Sequence, residues 1–119
     1  DDGDLEKKIS KATPDQKNKF IKTITRGIED LSEKENKLNE AVSRYARLKE
    51  NPKKHAYKVS LITQEITKML REVDFLMSVN EKLKTEMEVP NDELWKRTSQ
   101  RIAEIKERLM SIGRKLRKL

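Results

Sequence analysis

Along this chain, apolar residues recur at alternating steps of three and four over three successive stretches. In the first, Ile21, Ile24, Ile28, Leu31, Leu38, Val42 and Tyr45 fall on one line, with Glu35 at the skipped site. In the second, Val59, Ile62, Ile66, Met69, Val73, Leu76, Leu83 and Met87 repeat the spacing around Asn80, and Leu70 and Met77 widen the stripe. The third places Trp95, Ile102, Ile105, Leu109, Ile112, Leu116 and Leu119 on the same grid, with Thr98 as its polar exception. A mean spacing of about three and a half residues is that of a heptad seam, so each stretch is predicted to be an amphipathic helix hiding one face against its neighbours.

Local signals set the boundaries. Thr13-Pro14-Asp15-Gln16 offers a cap, a proline suited to the first helical turn and a capping box. Pro52 disfavours helix in Asn51, and the two together cap and open the next helix. Val89-Pro90 ends the second stretch, and Asn91-Asp92-Glu93 supplies a cap and first-turn acids for the third. The expected helices span about 14–50, 53–88 and 92–118. Residues 1–12 are polar apart from Leu5 and Ile9 at i,i+4, and read as a flexible or short-helical N-terminal segment ahead of a body over 13–119.

Three seams of equal period joined by short loops predict an all-α fold, an elongated antiparallel three-helix bundle with coiled-coil-like heptad packing. At about 1.5 Å rise per residue the rod comes to roughly 40–50 Å. The second helix, with the widest stripe, is expected to be the most buried. Folding it against the third sets Asn80 opposite about position 99, which predicts a hydrogen bond to Thr98 that fixes register. Glu35 is expected to tilt outward towards a basic neighbour.

Composition agrees with a thin core. Charged residues make up 41% of the chain and hydrophobic ones 34%, against roughly 25% charged in compact globular chains. Three glycines and three prolines are too few turn formers for a β-sandwich. With no cysteine and one histidine, neither a disulfide framework nor a zinc cluster has its ligands. No apolar run approaches the roughly 20 residues that cross a bilayer, and no signal-peptide pattern opens the chain, so an intracellular setting, cytoplasmic or nuclear, is expected.

The sequence carries no Gly-rich phosphate loop, no HExxH and no Ser/His/Asp set, and His55 reads as an exposed polar residue at a helix start. Carboxylate pairs such as Glu29/Asp30 lie on polar faces, and a close-packed rod offers no cleft to shift their pKa. An enzyme, a cofactor, a metal and a small-molecule substrate are therefore not expected. Trp95 reads as a core anchor, and Tyr57, off the apolar line, as a surface contact.

Charge is the most informative functional feature. The net charge is +7. Residues 1–51 carry 12 basic and 11 acidic side chains, residues 52–90 carry 7 and 6, and residues 91–119 carry 9 and 4. Past Glu107 no acid occurs, while Arg108, Arg114, Lys115, Arg117 and Lys118 accumulate. A helix C-terminus favours cations, but five in twelve residues exceed what its dipole requires. Aromatics at 4% disfavour sequence-specific nucleic-acid readout. The expectation is a non-catalytic protein–protein interaction module, part of a larger protein or complex, docking an acidic partner along a face that includes the third helix. The alternative is an electrostatic binder of nucleic acid or of an anionic membrane surface through the basic C-terminal helix. Exposed seam residues would instead produce an oligomer.

The segment Gln64-Glu65-Ile66-Thr67-Lys68-Met69-Leu70-Arg71-Glu72-Val73-Asp74, after a long first helix and a proline-bearing turn, resembles the chaperone-binding stretch of BAG co-chaperone domains. The resemblance implies a helical bundle that binds the nucleotide-binding domain of an Hsp70-type chaperone. It makes Asp74 a contact acid and Arg97 or Arg101 a basic contact. The layout is similar also to syntaxin-type N-terminal three-helix bundles.

Overall fold

The computed structural model describes residues 2–47, 51–86 and 92–119; the side chains of Asp2, Leu5, Glu6 and Asp92 lie outside that description. The chain is all-helical, with α1 (Asp2–Ser10), α2 (Pro14–Tyr45), α3 (Pro52–Glu86) and α4 (Asp92–Arg117), and no strand occurs among the described residues. It is elongated, 57 × 28 × 18 Å, somewhat longer than the helix-length estimate.

The three long helices are joined by a fourth, α1, which takes the short-helical of the two forms expected for the N-terminal segment. A nine-residue helix is marginal alone. Here Ile9 is fully buried, α1 packs on α3, and the Ser10 hydroxyl donates to Glu86 Oε1 at 3.2 Å. Tertiary burial supplies what nine residues of helix lack.

The start of α2 follows the capping box: Gln16 N donates to Thr13 Oγ1 (3.2 Å) and Thr13 N to Gln16 Oε1 (2.9 Å). The helix ends at Tyr45 rather than near 50. Ala46 N donates to Val42 O at 3.0 Å and Arg47 N to Arg44 O at 3.1 Å, a tightened last turn. Tyr45 is the last residue of the apolar line read in this stretch. Asn51 caps α3, its Oδ1 accepting from Lys54 N at 2.9 Å, and Pro52 opens that helix one residue earlier than expected. The seam position Met87, the Val89-Pro90 turn and the Asn91-Asp92 cap lie outside the described residues or side chains.

Cross-helix contacts fix directions. Lys17–Glu86, Lys34–Glu72 and Tyr45–His55 pair rising numbers on α2 with falling ones on α3, so these two run antiparallel. Asn80–Ser99 and Asp74–Lys106 do the same for α3 and α4. Glu35–Arg108 and Asn39–Lys115 rise together, so α2 and α4 are parallel. α3 touches α1, α2 and α4, in keeping with its wide stripe.

Buried residues occupy the lines read from the sequence. Ile24, Ile28, Leu31, Val42 and Tyr45 of α2 are buried, as are Ile66, Met69, Val73, Leu76 and Leu83 of α3 and Trp95, Ile102, Ile105, Leu109, Ile112 and Leu116 of α4. Each such side chain contributes about 1.5–3 kcal/mol of transfer free energy. Val79, off the line, is also buried. Leu119 lies past the last helical residue and is exposed, contrary to its seam assignment.

Two polar residues share this core. Asn80 is fully buried, and its Nδ2 donates to Ser99 Oγ at 3.0 Å rather than to Thr98. Ser99 lies seven residues before Lys106, on the flank of α4 that meets α3, whereas Thr98 continues the apolar line. Glu35 does not tilt outward: it is 3% exposed, and Arg108 Nε comes to its Oε1 at 3.4 Å. The seam holds the Glu35 backbone inward, and the long Arg108 stem closes the distance. Glu35 Oε2, Asn80 Oδ1 and Trp95 Nε1 are buried without a hydrogen-bond partner among the described residues.

Candidate functional site

Because α2 and α4 run parallel and α3 opposes them, the C-terminal turns of α2 and α4 and the N-terminal turns of α3 share one end of the rod. Residues 41–47, 52–63 and 111–119 contain Arg44, Arg47, Lys53, Lys54, Lys58, Arg114, Lys115, Arg117 and Lys118, and no Asp or Glu. These nine belong to a total of 28 Lys and Arg, so the 19 elsewhere are outnumbered by the 21 acids, none of which falls in these segments. The intervening residues 48–50 add one Lys and one Glu in sequence. The net positive charge of the chain therefore resides at this end.

Helix electrostatics accounts for part of the cluster. Arg44 in the last turn of α2, and Arg114, Lys115 and Arg117 in the last turn of α4, meet the negative ends of helix dipoles. Lys53 and Lys54 do the reverse. They occupy the first turn of α3, which carries no acid, and both are exposed. Like charge at a dipole's positive end is unfavourable by roughly 0.3–1 kcal/mol, so stability does not explain them.

The end is held together by Tyr45 and His55. The Tyr45 hydroxyl lies 2.6 Å from His55 Nδ1, the rings stack with centroids 5.5 Å apart, and Lys58 Nζ sits 5.4 Å from the Tyr45 ring centroid. His55 is thus half-buried and partnered, not the exposed residue expected. Beside this pair an open groove of about 680 Å³ runs between α2 and α3, over Ala41, Tyr45, Leu61 and Ile62, with Arg44 and Arg47 on its rim. Tyr57, Leu61, Met110 and Leu119, four of the five large hydrophobic residues exposed among the described residues, lie in or next to the same segments.

The residues singled out from sequence are divided by the fold. Arg108 and Lys115 lean towards α2, on Glu35 and on Asn39 Oδ1 (3.2 Å). Arg114 Nη2 bonds Glu107 Oε1 at 3.0 Å and, with Arg117, borders a smaller groove of about 270 Å³ between α3 and α4. Arg117 and Lys118 are exposed, and their side chains make no hydrogen bond or ion pair among the described residues. Arg97 and Arg101 are also exposed, one turn apart, nearer the start of α4. Asp74 is exposed and pairs with Lys106 at 3.7 Å, not with Arg97 or Arg101.

The reading of charge by thirds of the chain missed Arg44, Arg47, Lys53, Lys54 and Lys58, because acids elsewhere in those thirds cancel them. The acid-free runs 41–47 and 52–63 were the available signal. The surface is also less smooth than a close-packed rod implied. At the other end a groove of about 750 Å³ between α1 and α2 is bordered by Lys7, Lys8, Lys11 and Lys19 together with Asp4.

Among the described residues no group of three or more His, Cys, Asp or Glu is placed to hold a metal ion, and no helix is long and apolar enough to cross a membrane. Compared with protein families, with curated proteins and with solved structures, the chain matches none.

Proposed function

We propose that α2, α3 and α4 form an antiparallel three-helix bundle with heptad seams, and that this bundle is a non-catalytic interaction module docking an acidic protein partner at its basic end. The observation that carries the reading is the convergence of nine cations from three segments that themselves contain no acid, including Lys53 and Lys54 placed against their own helix dipole. Such an end concentrates positive potential, steers an acidic partner during encounter and disfavours basic ones.

The test is fluorescence anisotropy with a labelled polyglutamate peptide, and its affinity should fall steeply as salt rises. Reversing Arg114, Lys115, Arg117 and Lys118 to Glu is expected to weaken it by about tenfold or more. Undiminished binding by that variant would remove the basis for the proposal.

An anionic membrane surface is the second reading, favoured by the exposed Tyr57, Leu61, Met110 and Leu119 beside the cations. Co-sedimentation with phosphatidylserine vesicles, set against phosphatidylcholine alone, separates it from the first.

A further inference from the structure

Resting on the reading of the basic end as a protein-docking surface, we infer that the groove between α2 and α3 is the seat of a short acidic amphipathic helix. The floor and the rim ask for different halves of one ligand. Ala41, Tyr45, Leu61 and Ile62 present an apolar floor, and Leu61 remains 46% exposed. Leaving a leucine half in water at the mouth of a concave apolar strip is the arrangement that helix-in-groove recognition exploits, an apolar face entering while polar residues stay at the edge.

The rim decides the chemistry of that polar face. Arg44 and Arg47 are exposed, and neither forms an ion pair with an acid among the described residues. Their guanidinium groups are suited to bidentate carboxylate binding. A basic or neutral helix would leave them uncompensated, whereas Glu or Asp flanking the apolar stripe completes them. Length follows from the lining: the α2 side spans residues 41 to 47, about 9 Å at 1.5 Å per residue, which fits about two turns of ligand anchored by apolar residues at i and i+4. A flat lipid headgroup layer has no ridge to enter this strip, which is why a helix is the occupant assigned to it.

The experiment compares two synthetic peptides of equal length and charge, one with Leu at i, i+4 and i+7 among Glu residues, the other with the same residues scrambled so that no stripe forms. The chain is labelled with nitrogen-15 and carbon-13. The striped peptide is expected to shift the signals of Ala41, Tyr45, Leu61 and Ile62 and to bind about tenfold more tightly than the scrambled one. Leu61→Asn places a neutral polar group on the floor and should abolish that advantage while leaving polyglutamate binding unchanged. Because Leu61 is half exposed, the substitution leaves the fold intact, which circular dichroism checks. Equal affinities for the two peptides, or shifts confined to α4, overturn the groove but leave the basic end standing as a simple electrostatic surface. If neither peptide nor polyglutamate binds the unaltered chain, both readings fall; binding to phosphatidylserine vesicles alone would assign the end to membranes instead.

Discussion

Glu35 on α2 and Arg108 on α4 form an ion pair in which only one partner leaves water: the carboxylate side chain is 3% exposed and the Arg108 side chain 47%. The pair spans two helices that are parallel, and Glu35 occupies a position on the apolar line of α2. Removing Arg108 strands a buried carboxylate, whereas removing Glu35 strands an arginine that water can still reach.

That asymmetry sets the first expectation. Arg108→Ala is expected to cost about 2 kcal/mol or more, while Glu35→Leu is neutral or stabilising, because a leucine at a seam position packs without a charge to desolvate. Urea denaturation midpoints measure both. Equal losses for the two variants would contradict the account.

Asn80 and Ser99 give a second. Asn80→Ala is expected to cost roughly 1–3 kcal/mol through the cavity and the lost bond, while Asn80→Leu with Ser99→Ala keeps or raises stability. What the apolar pair loses is registry between α3 and α4. Broadened amide spectra of the double variant, against sharp ones for the parent, would reveal that cost.

Tyr45→Phe removes the bond to His55 and keeps the ring stack, so the expected loss is about 0.5–1.5 kcal/mol, and His55→Ala should cost more because stack and bond go together. Thermal melts of the two variants decide the order. If Phe proves the worse of the two, the hydroxyl is serving some purpose other than this bond.

The glycines of α2 and α4 separate propensity from packing. A Cβ at Gly113 meets nothing within 4 Å, so Gly113→Ala should stabilise by roughly 0.5–1 kcal/mol. At Gly27 the same atom would lie 2.9 Å from a Leu76 methyl, and the gain in helix propensity is offset by the shift Leu76 must make. The difference between the two variants in guanidinium midpoints is the readout.

Ile9 is what fastens α1. Ile9→Ala is expected to free α1 to exchange its amide hydrogens as an unstructured segment does while α2, α3 and α4 keep their protection. Slowed exchange maintained across residues 2–10 would show that other contacts suffice.

The long helices were legible because their apolar spacing is strict and their caps are local, as Thr13, Gln16 and Asn51 show. What was not legible depended on which flank of a helix a residue takes. Ser99 rather than Thr98 meets Asn80 because a single residue turns the side chain by about 100°. Glu35 was expected to turn outward to meet a basic neighbour; the neighbour exists, but Arg108 reaches in from α4 and the carboxylate stays buried. The docking of α1 rests on Ile9, and the single Leu5/Ile9 pair offered a short helix and a flexible segment equally, too faint a period to choose between them. The basic end stayed hidden for a different reason: its members are separated by dozens of residues, and only the parallel course of α2 and α4 gathers them.

That gathering governs how the molecule meets its surroundings. A body 57 Å long and 18 Å across at its thinnest, with its excess cations at one tip, experiences a torque in any external field and arrives tip first. Its footprint on whatever it meets is then a cross-section rather than a flank, and α1, seated near the far tip, is held away from the contact as at the top of a post.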